Sequence, residues 1–293
     1  SKGYIWFGTN DGLDRYNGYE FKHYKFDKYD KNSLPNNYIV DIIEDKYGYL
    51  WISTIAGLSR INPETDEIKN YYTDKNSGNL SDSNLWQLLY TKDNKLIAST
   101  VNGLNVYDEK NDTFTRVLGN EKDLPSQYIY SIEEGPNGHI WIGTDNGLVE
   151  VDKNFKVVKT YEDTVANSSV YEIKYDTNGY MWICTLDNGL FKVDLDNNSI
   201  INYKSDSNKY SLPSDSVRAI MHDAQGNLWI GTEKGLCRYD YETDKFITYK
   251  KEAYQNNTLV YDNIFCLFKD NSGLMWIGTY SGVSIFNPNS SFI

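Results

Sequence analysis

Histidine, cysteine and long apolar runs are scarce in this sequence, and each scarcity excludes a class of protein. Three histidines in 293 residues offer little material for acid–base catalysis. The three cysteines lie far apart inside apolar runs, which indicates neither a disulfide framework nor a zinc site. No run of about 18 apolar residues is present, so the sequence predicts no membrane span. It shows no signal peptide either.

Positive charge is also in short supply. The chain has 29 lysines and arginines against 41 aspartates and glutamates, a formal net charge of −12. An acidic surface repels phosphate groups, so we expect no nucleic-acid partner and no binding to anionic lipid surfaces. Aromatic residues, by contrast, are abundant at 15%, and 26 of them are tyrosines. Because tyrosine and tryptophan suit half-buried strands, the composition favours a β-sheet protein.

The few residues that could carry chemistry form no motif. His23, His139 and His222 have no serine or cysteine nucleophile motif beside them, so we interpret them as ordinary strand or turn residues. Residues 194–198 and 270–273 are loosely similar to calcium loops. The first lacks the glycine and the closing glutamate that such a loop requires, and the second is a turn that recurs along the chain. The sequence therefore predicts no catalytic residue, no metal site and no cofactor.

One sequence motif, which we call the phrase, recurs along the whole chain. The run from Ile5 to Thr9, Ile-Trp-Phe-Gly-Thr, is followed by Gly12-Leu13 and returns in recognisable form six more times. The second position of the phrase, which we call the anchor, recurs every 41 to 47 residues, at Trp6, Trp51, Ile97, Trp141, Trp182, Trp229 and Trp276. A period of roughly 40–50 residues is typical of the four-stranded blade of a β-propeller.

Each repeat divides into four short strands joined by tight turns. An apolar first strand is followed by an Asp-x-x-Gly turn, the anchor strand, a third strand opened by Gly-Leu, and a fourth strand that contains tyrosine. We predict an all-β fold with one domain over residues 1–293, a seven-bladed β-propeller of four-stranded antiparallel blades. The first blade should lack its innermost strand, because the chain begins inside that blade's Asp-x-x-Gly turn.

The pattern is interrupted at both ends of the chain. At the carboxyl end, residues 291–293 reach only the start of a fourth strand. At the other end, a missing innermost strand leaves backbone groups unpaired. We therefore expect the sequence to be a fragment of a longer protein, whose upstream residues supply the missing strand.

The anchor tryptophans are expected to hold neighbouring blades together. Because blades pack face to face, the second strand of each is covered on both sides. Burying one tryptophan removes roughly 150–250 Å² from water, about 4–6 kcal/mol gross. Ile97 replaces tryptophan in the third repeat, so we predict that this junction is the least filled. Trp86, on the preceding strand, is predicted to compensate.

The repeat resembles the two-component regulator propeller repeat. The shared unit is a strand, Asp-x-x-Gly, Leu-Trp-Ile-Gly-Thr, x-x-Gly-Leu and Tyr-Asp, and the resemblance covers the chain in seven copies. Residues 3–21 are similar to the first repeat of such sensors, and residues 32–37 to their linker into the next blade. The resemblance implies an extracytoplasmic sensor region of a bacterial histidine kinase or hybrid two-component regulator, often tuned to glycans. It implies no particular set of ligand residues.

Long polar loops give the predicted binding face. The turns from second to third strand emerge at the same edge of each blade as the loops between blades, and binding residues concentrate on loops over a rigid scaffold. The ligand-binding residues predicted at this edge are Asn10, Asp11, Asn102, Asp145, Asn146, Asp187, Asn188, Glu233, Lys234 and Tyr280. These residue types also suit tight turns that bind nothing, and that interpretation stays open.

Three functions remain open. The first is a ligand-sensing propeller of a two-component signalling protein. It would bind an oligosaccharide or another small solute, or dock against a neighbouring sensor domain of the same polypeptide, and it would signal by shifting a homodimer. Tyr29, Tyr210 and Tyr254 are the loop aromatics predicted to stack on a sugar. The second is a protein-interaction scaffold without a small ligand. The third is a carbohydrate-active lyase or hydrolase whose histidine and acidic residues meet only in space.

Overall fold

The computed structural model describes residues 3–73, 79–119, 123–161, 165, 167–253 and 258–288. Within these ranges the regular structure consists of β-strands and one short 3-10 helix, Pro136–Gly138. The strands pair into seven antiparallel sheets, and each sheet is formed by strands consecutive in the chain. The predicted all-β, seven-bladed propeller fold is confirmed.

Blade 1 has three strands and blades 2, 3 and 4 have four each within the described ranges. Blade 1 begins with its anchor strand, so the innermost strand is missing as predicted. The strands of these blades are β1 (Ile5–Thr9), β2 (Gly12–Tyr16), β3 (Phe21–Tyr24), β4 (Ile39–Glu44), β5 (Leu50–Thr54), β6 (Gly57–Ile61), β7 (Ile68–Tyr71), β8 (Leu85–Tyr90), β9 (Leu96–Thr100), β10 (Gly103–Asp108), β11 (Thr113–Leu118), β12 (Ile129–Glu134), β13 (Ile140–Thr144), β14 (Gly147–Val151) and β15 (Val157–Thr160).

Blades 5 and 6 have four strands, and blade 7 has three within the part of the chain that the structure describes. Residues 291–293, where the start of a fourth strand is predicted, lie outside the described residues. The strands are β16 (Val170–Tyr175), β17 (Tyr180–Thr185), β18 (Leu190–Asp194), β19 (Ile200–Tyr203), β20 (Val217–His222), β21 (Leu228–Thr232), β22 (Gly235–Asp240), β23 (Lys245–Tyr249), β24 (Ile264–Lys269), β25 (Met275–Thr279) and β26 (Gly282–Phe286).

Two compact units divide the chain. One consists of Ser1–Thr144 with Val149–Thr160, and the other of Asp145–Leu148 with Tyr161–Ile293. Inside each unit the apolar clusters run from one blade to the next. Trp51 of blade 2 shares a cluster with Phe114 of blade 3, and Trp182 of blade 5 shares one with Phe246 of blade 6. The core therefore lies between neighbouring blades, and the single domain over residues 1–293 stays a prediction.

The anchor tryptophans are buried, as the packing argument requires. Trp51, Trp141, Trp182 and Trp229 are at most 2% exposed. The anchors of the first and last blades, Trp6 and Trp276, are partly buried.

The aspartate of the Asp-x-x-Gly turn holds both the turn and the indole. In blade 5, Oδ1 of Asp176 accepts hydrogen bonds from the backbone amides of Asn178 at 2.8 Å and Tyr180 at 2.9 Å. Its Oδ2 accepts a hydrogen bond from Nε1 of Trp182 at 2.8 Å. The same indole bond joins Trp51 to Asp45, Trp229 to Asp223 and Trp276 to Asp270. The aspartate thus satisfies an indole N–H that packing removes from water.

The third repeat departs from this pairing, and a cavity marks the place. Ile97 stands where other repeats have tryptophan, and Thr91 stands where the second, fifth, sixth and seventh repeats have aspartate. A cavity of about 440 Å³ lined by Ile97 lies between blades 3 and 4, which fits the predicted poor filling of this junction. Trp86 does not line the cavity. Its ring packs edge-on against Tyr130 of blade 4 at a centroid distance of 4.6 Å, so it contacts the next blade at this junction. That this contact compensates for Ile97 stays a prediction.

A second contact between blades centres on an aspartate in a left-handed turn. Asp112, with φ 54°, lies between the third and fourth strands of blade 3. Its carboxylate accepts hydrogen bonds from Lys69 and Tyr71 of blade 2 and from Tyr107 of its own blade. Burial acts to raise the pKa of Asp112, but these hydrogen bonds outweigh it and hold the pKa at about 2. Equivalent aspartates bind a tyrosine of the preceding blade in two more places, Asp66 with Tyr24 and Asp244 with Tyr203.

Candidate ligand-binding site

All the residues predicted to bind a ligand lie in turns between the second and third strands of their blades. Backbone hydrogen bonds tie these turns to the connections between blades. The amide of Tyr280 donates to the carbonyl oxygen of Asn263 at 3.1 Å, and the amide of Glu233 donates to that of Ser216 at 3.1 Å. In these blades the turn and the connection therefore share one edge, as predicted. We call it the loop edge.

The threonine that ends the anchor strand builds these turns. In blade 6, Oγ1 of Thr232 donates to the carbonyl oxygen of Gly235 at 2.8 Å and accepts from the amide of Lys234 at 3.1 Å. Gly235 has a φ of +136°, and a Cβ there would come within 2.8 Å of the carbonyl oxygen of Tyr249. The Thr-x-x-Gly part of the repeat is thus explained by turn geometry, without any ligand.

Two of the predicted residues bind their turns to the connections between blades. Nδ2 of Asn102 donates to the carbonyl oxygen of Ser81 at 3.1 Å, and Nδ2 of Asn188 donates to Oγ of Ser168 at 3.0 Å. These contacts favour the interpretation of both asparagines as turn residues. Asp145 differs, because it is half-buried and its Oδ1 meets no hydrogen-bond donor among the described residues.

The remaining polar candidates are exposed. They are Asn10, Asp11, Asn146, Asp187, Glu233 and Lys234. Asp11 forms an ion pair with Lys25, with Oδ2 and Nζ 2.6 Å apart. Exposed ion pairs contribute little to stability, so this pair does not define the conformation of its turn. As ligand contacts these six residues stay predictions.

Tyr280 has the most developed surroundings of the predicted residues. Its ring is 74% exposed and lies beside the rings of Tyr261 and Phe265, at centroid distances of 6.2 and 6.3 Å. Both neighbours are exposed as well. We call Tyr261, Phe265 and Tyr280, together with Arg218 and Asn263, the aromatic patch. It lies at the loop edge of blades 6 and 7.

Arg218 and Asn263 supply the polar part of the aromatic patch. The guanidinium of Arg218 lies 4.8 Å from the ring centroid of Phe265 and donates a hydrogen bond to Oδ1 of Asn263 at 3.0 Å. A guanidinium has five N–H donors, so this bond leaves others for a ligand. The patch therefore offers exposed ring faces with a fixed hydrogen-bonding cation beside them.

Four members of the aromatic patch are absent from the predicted set. Arg218 and Phe265 both occupy the second position of their blade's first strand, β20 and β24. Side chains alternate along a strand, so this position faces away from the buried first position. An arginine and a phenylalanine at such a position could therefore have been recognised from the sequence as candidate binding residues. Tyr261 and Asn263 lie in a loop, where no periodic pattern could single them out.

The loop aromatics predicted for sugar stacking carry lysines over their rings. Nζ of Lys28 lies 4.6 Å from the ring centroid of Tyr29, and Nζ of Lys209 lies 4.6 Å from that of Tyr210. A lysine that covers one ring face leaves less of the ring for a ligand. Tyr254 lies outside the described residues.

The histidines form close pairs inside their own blades. The paired atoms are Nδ1 of His139 with Oε1 of Glu150 at 2.7 Å, Nδ1 of His23 with Oδ1 of Asp14 at 2.6 Å, and Nε2 of His222 with the hydroxyl of Tyr241 at 3.4 Å. Within the described ranges, no group of three or more His, Cys, Asp or Glu side chains could hold a metal ion. The same ranges contain no helix of the length and apolarity that a membrane crossing needs.

Comparison with known sequences gives a family and a relative. The family described as "Two component regulator propeller" matches residues 33–56, 123–146, 211–234 and 258–281. Histidine kinase P4 of Formosa agariphila is 33% identical over 170 residues, which cover 55% of this chain and 12% of the kinase. The chain thus corresponds to a small part of that protein.

Similar solved structures include domains from two functional classes. The extracellular domain assigned to a hybrid two-component system of B. thetaiotaomicron is 25% identical, with a TM-score of 0.78, and the match covers 97% of this chain and 37% of that domain. Virginiamycin B lyase from Staphylococcus aureus is 17% identical, with a TM-score of 0.66, over 87% of this chain and 83% of the lyase. At that identity the likeness to the lyase is one of fold alone.

Proposed function

Since this chain belongs to the two-component regulator propeller family, we propose that it is the extracytoplasmic input domain of a bacterial two-component signalling protein. The names of its relatives support this proposal, because they include a histidine kinase and an extracellular domain of a hybrid two-component system. The chain itself is not an enzyme in this proposal, and the kinase lies elsewhere in the parent protein.

The aromatic patch carries the proposal one step further, to a hydroxylated solute such as an oligosaccharide. Tyr280, Phe265 and Tyr261 present apolar ring faces against which the C–H faces of a sugar ring can pack. Arg218 and Asn263 lie beside those rings and supply hydrogen-bond donors and acceptors for hydroxyl groups. An apolar surface with a few convergent polar groups is the usual make-up of a small-molecule site.

A glycan array probed with the 293-residue chain, followed by thermal shift with the strongest hits, tests this function. We expect at least one class of oligosaccharide to bind and to raise the melting temperature, because a ligand that binds only the folded state stabilises it. A chain that is retained by no glycan and stabilised by none would contradict the sensing of a glycan. The family membership and the fold would be unaffected.

A protein-interaction scaffold is the alternative, and the composition of the same patch favours it as well. Tyrosine, phenylalanine and arginine are enriched at protein interfaces. In that case a neighbouring sensor domain of the same polypeptide, or a second copy of the chain, covers the patch. Cross-linking of the parent protein through a cysteine at Tyr280 would then recover that partner, while no glycan changes the melting temperature.

The pair of His139 and Glu150 is the observation that keeps a lyase or hydrolase under consideration. Their side-chain atoms are 2.7 Å apart, within reach for proton transfer. An enzyme of this kind would release product from a glycan, and the replacement His139→Ala would abolish that release. Incubation of array hits with the chain, followed by mass spectrometry, separates binding from turnover.

A further inference from the structure

Two junctions between blades have the same layout in this chain. Each contains an anchor tryptophan, the aspartate bonded to it, a cation from the third strand, and a tyrosine from the next blade. The sets are Trp182, Asp176, Lys192 and Tyr239 between blades 5 and 6, and Trp51, Asp45, Arg60 and Tyr107 between blades 2 and 3. The cation lies 5.4 Å from the indole centroid in both junctions, and the tyrosine ring lies 4.9 Å from it in both.

Tyr241 fills the junction between blades 5 and 6. Its ring packs edge-on against Tyr239 and Trp182, at centroid distances of 4.9 and 6.3 Å. Its hydroxyl donates a hydrogen bond to Oδ2 of Asp176 at 2.9 Å. Burial, together with the negative charge of Asp176, raises the pKa of Tyr241, so the phenol stays protonated and remains a donor. Asp176 is only 1% exposed in this setting.

Glu109 takes the corresponding place between blades 2 and 3. It follows Tyr107 by two positions, as Tyr241 follows Tyr239. The side chain of Glu109 is 54% exposed and its carboxylate pairs with Nζ of Lys46 at 3.1 Å. A cavity of about 300 Å³ remains in this junction, lined among others by Asp45, Tyr49, Trp51, Tyr90, Tyr107 and Glu109. A glutamate in place of the plugging tyrosine therefore coincides with an open space.

The carboxylate of Asp45 can accept one more hydrogen bond than the residues of its own junction donate. Oδ1 accepts hydrogen bonds from the amides of Tyr47 at 2.9 Å and Tyr49 at 3.0 Å, and Oδ2 accepts one from Nε1 of Trp51 at 2.9 Å. Among the described residues no hydroxyl donates to Oδ2, whereas the matching oxygen of Asp176 accepts the phenol of Tyr241. A carboxylate oxygen has two lone pairs, so a second donor can bind there.

We propose that the cavity between blades 2 and 3 is a binding site for a small hydroxyaryl compound, a phenol. Its ring lies against Trp51 and Tyr107, and its hydroxyl donates to Oδ2 of Asp45. The ligand thereby makes the contacts that Tyr241 makes in the other junction. The cavity is at the lower end of the size range of small-molecule sites, roughly 300–1,000 Å³, which suits a single ring. The site lies at the edge of the short turns and is independent of the aromatic patch.

Titration calorimetry of the 293-residue chain with p-cresol, the side chain of tyrosine as a free molecule, tests the proposal. We expect saturable binding of one equivalent. Toluene, which has the ring but no hydroxyl, should bind with an affinity lower by about tenfold or more, because the hydrogen bond to the carboxylate is lost. In Glu109→Tyr the chain's own phenol occupies the space, and binding of p-cresol should be lost. The matched control Glu109→Gln leaves the cavity open and should bind p-cresol within about threefold of the unsubstituted chain.

A reciprocal variant tests the same idea at the other junction. Tyr241→Ala removes the plug between blades 5 and 6, so a folded variant should bind a second equivalent of p-cresol. If this variant does not fold, the pair Glu109→Tyr and Glu109→Gln decides alone. The proposal is overturned if the unsubstituted chain does not bind p-cresol, if Glu109→Tyr binds it equally well, or if toluene binds as tightly. A folded Tyr241→Ala variant without a second site also counts against it.

Discussion

Oδ2 of Asp176 accepts a hydrogen bond from Nε1 of Trp182 at 2.8 Å. This bond joins a turn at one edge of blade 5 to the side chain that packs between blades. Trp182 is fully buried, so its N–H must find an acceptor inside the protein. The repeat therefore couples the polar chemistry of its turn to the filling of its core.

The first prediction concerns this coupling. Asp176→Ala should lower the free energy of unfolding by about 2–4 kcal/mol, because it leaves the indole N–H and the Tyr241 hydroxyl without their acceptor in a buried place. Urea denaturation followed by tryptophan fluorescence measures the change. Asp196→Ala is the matched control, because Asp196 is exposed, and it should stay within about 0.5 kcal/mol of the unsubstituted chain. Equal effects of the two substitutions would contradict the role of Asp176.

The second prediction concerns the cavity beside Ile97. Ile97→Trp alone places an indole N–H next to Thr91, which has no carboxylate to accept it, and Thr91→Asp alone places a carboxylate next to an aliphatic side chain. The two substitutions together restore the pairing that other blades have. A double-mutant cycle in urea should give a favourable coupling energy of about 1–3 kcal/mol. Additive effects would show that the pairing does not depend on the hydrogen bond.

The third prediction concerns how the stability of the fold depends on pH. The hydrogen bonds of Lys69, Tyr107 and Tyr71 outweigh burial and hold the pKa of Asp112 at about 2, against roughly 4 in an unfolded chain. Ionised Asp112 therefore stabilises the fold above about pH 4, and this contribution is lost as the pH falls towards 2. Asp112→Asn should unfold at lower urea than the unsubstituted chain at pH 6, and the gap should narrow below about pH 4. A gap that does not change with pH would contradict this account.

Much of the fold could be predicted because the same repeat occurs seven times along the chain. Alternating strands, Asp-x-x-Gly turns and Gly-Thr-x-x-Gly turns each obey local rules, so the blade boundaries and the anchors could be predicted. The substitution at Ile97 also predicted where packing is poor. Trp86 shows the limit, since the sequence alone does not tell whether its ring lines that cavity.

The candidate site was harder to predict, because contacts between blades join residues far apart in sequence. Tyr280 could be placed at the loop edge from its turn. Arg218 and Phe265 come from different blades. Only the packing of β20 beside β24 brings the guanidinium of Arg218 to 4.8 Å from the ring centroid of Phe265. The carboxylate of Asp112 likewise meets Tyr71 of the preceding blade, a contact without any local pattern in the chain.

The central claim is that the aromatic patch receives a hydroxylated solute. Calorimetric titration with the strongest glycan from the array, on the unsubstituted chain and on Tyr280→Ala, Arg218→Ala and Tyr29→Ala, tests it most directly. We predict that the first two substitutions weaken binding about tenfold or more, because each removes a contact at the centre of the site. Tyr29→Ala, an exposed aromatic outside the patch, should bind like the unsubstituted chain. Equal affinity of all four proteins for the glycan would contradict the claim.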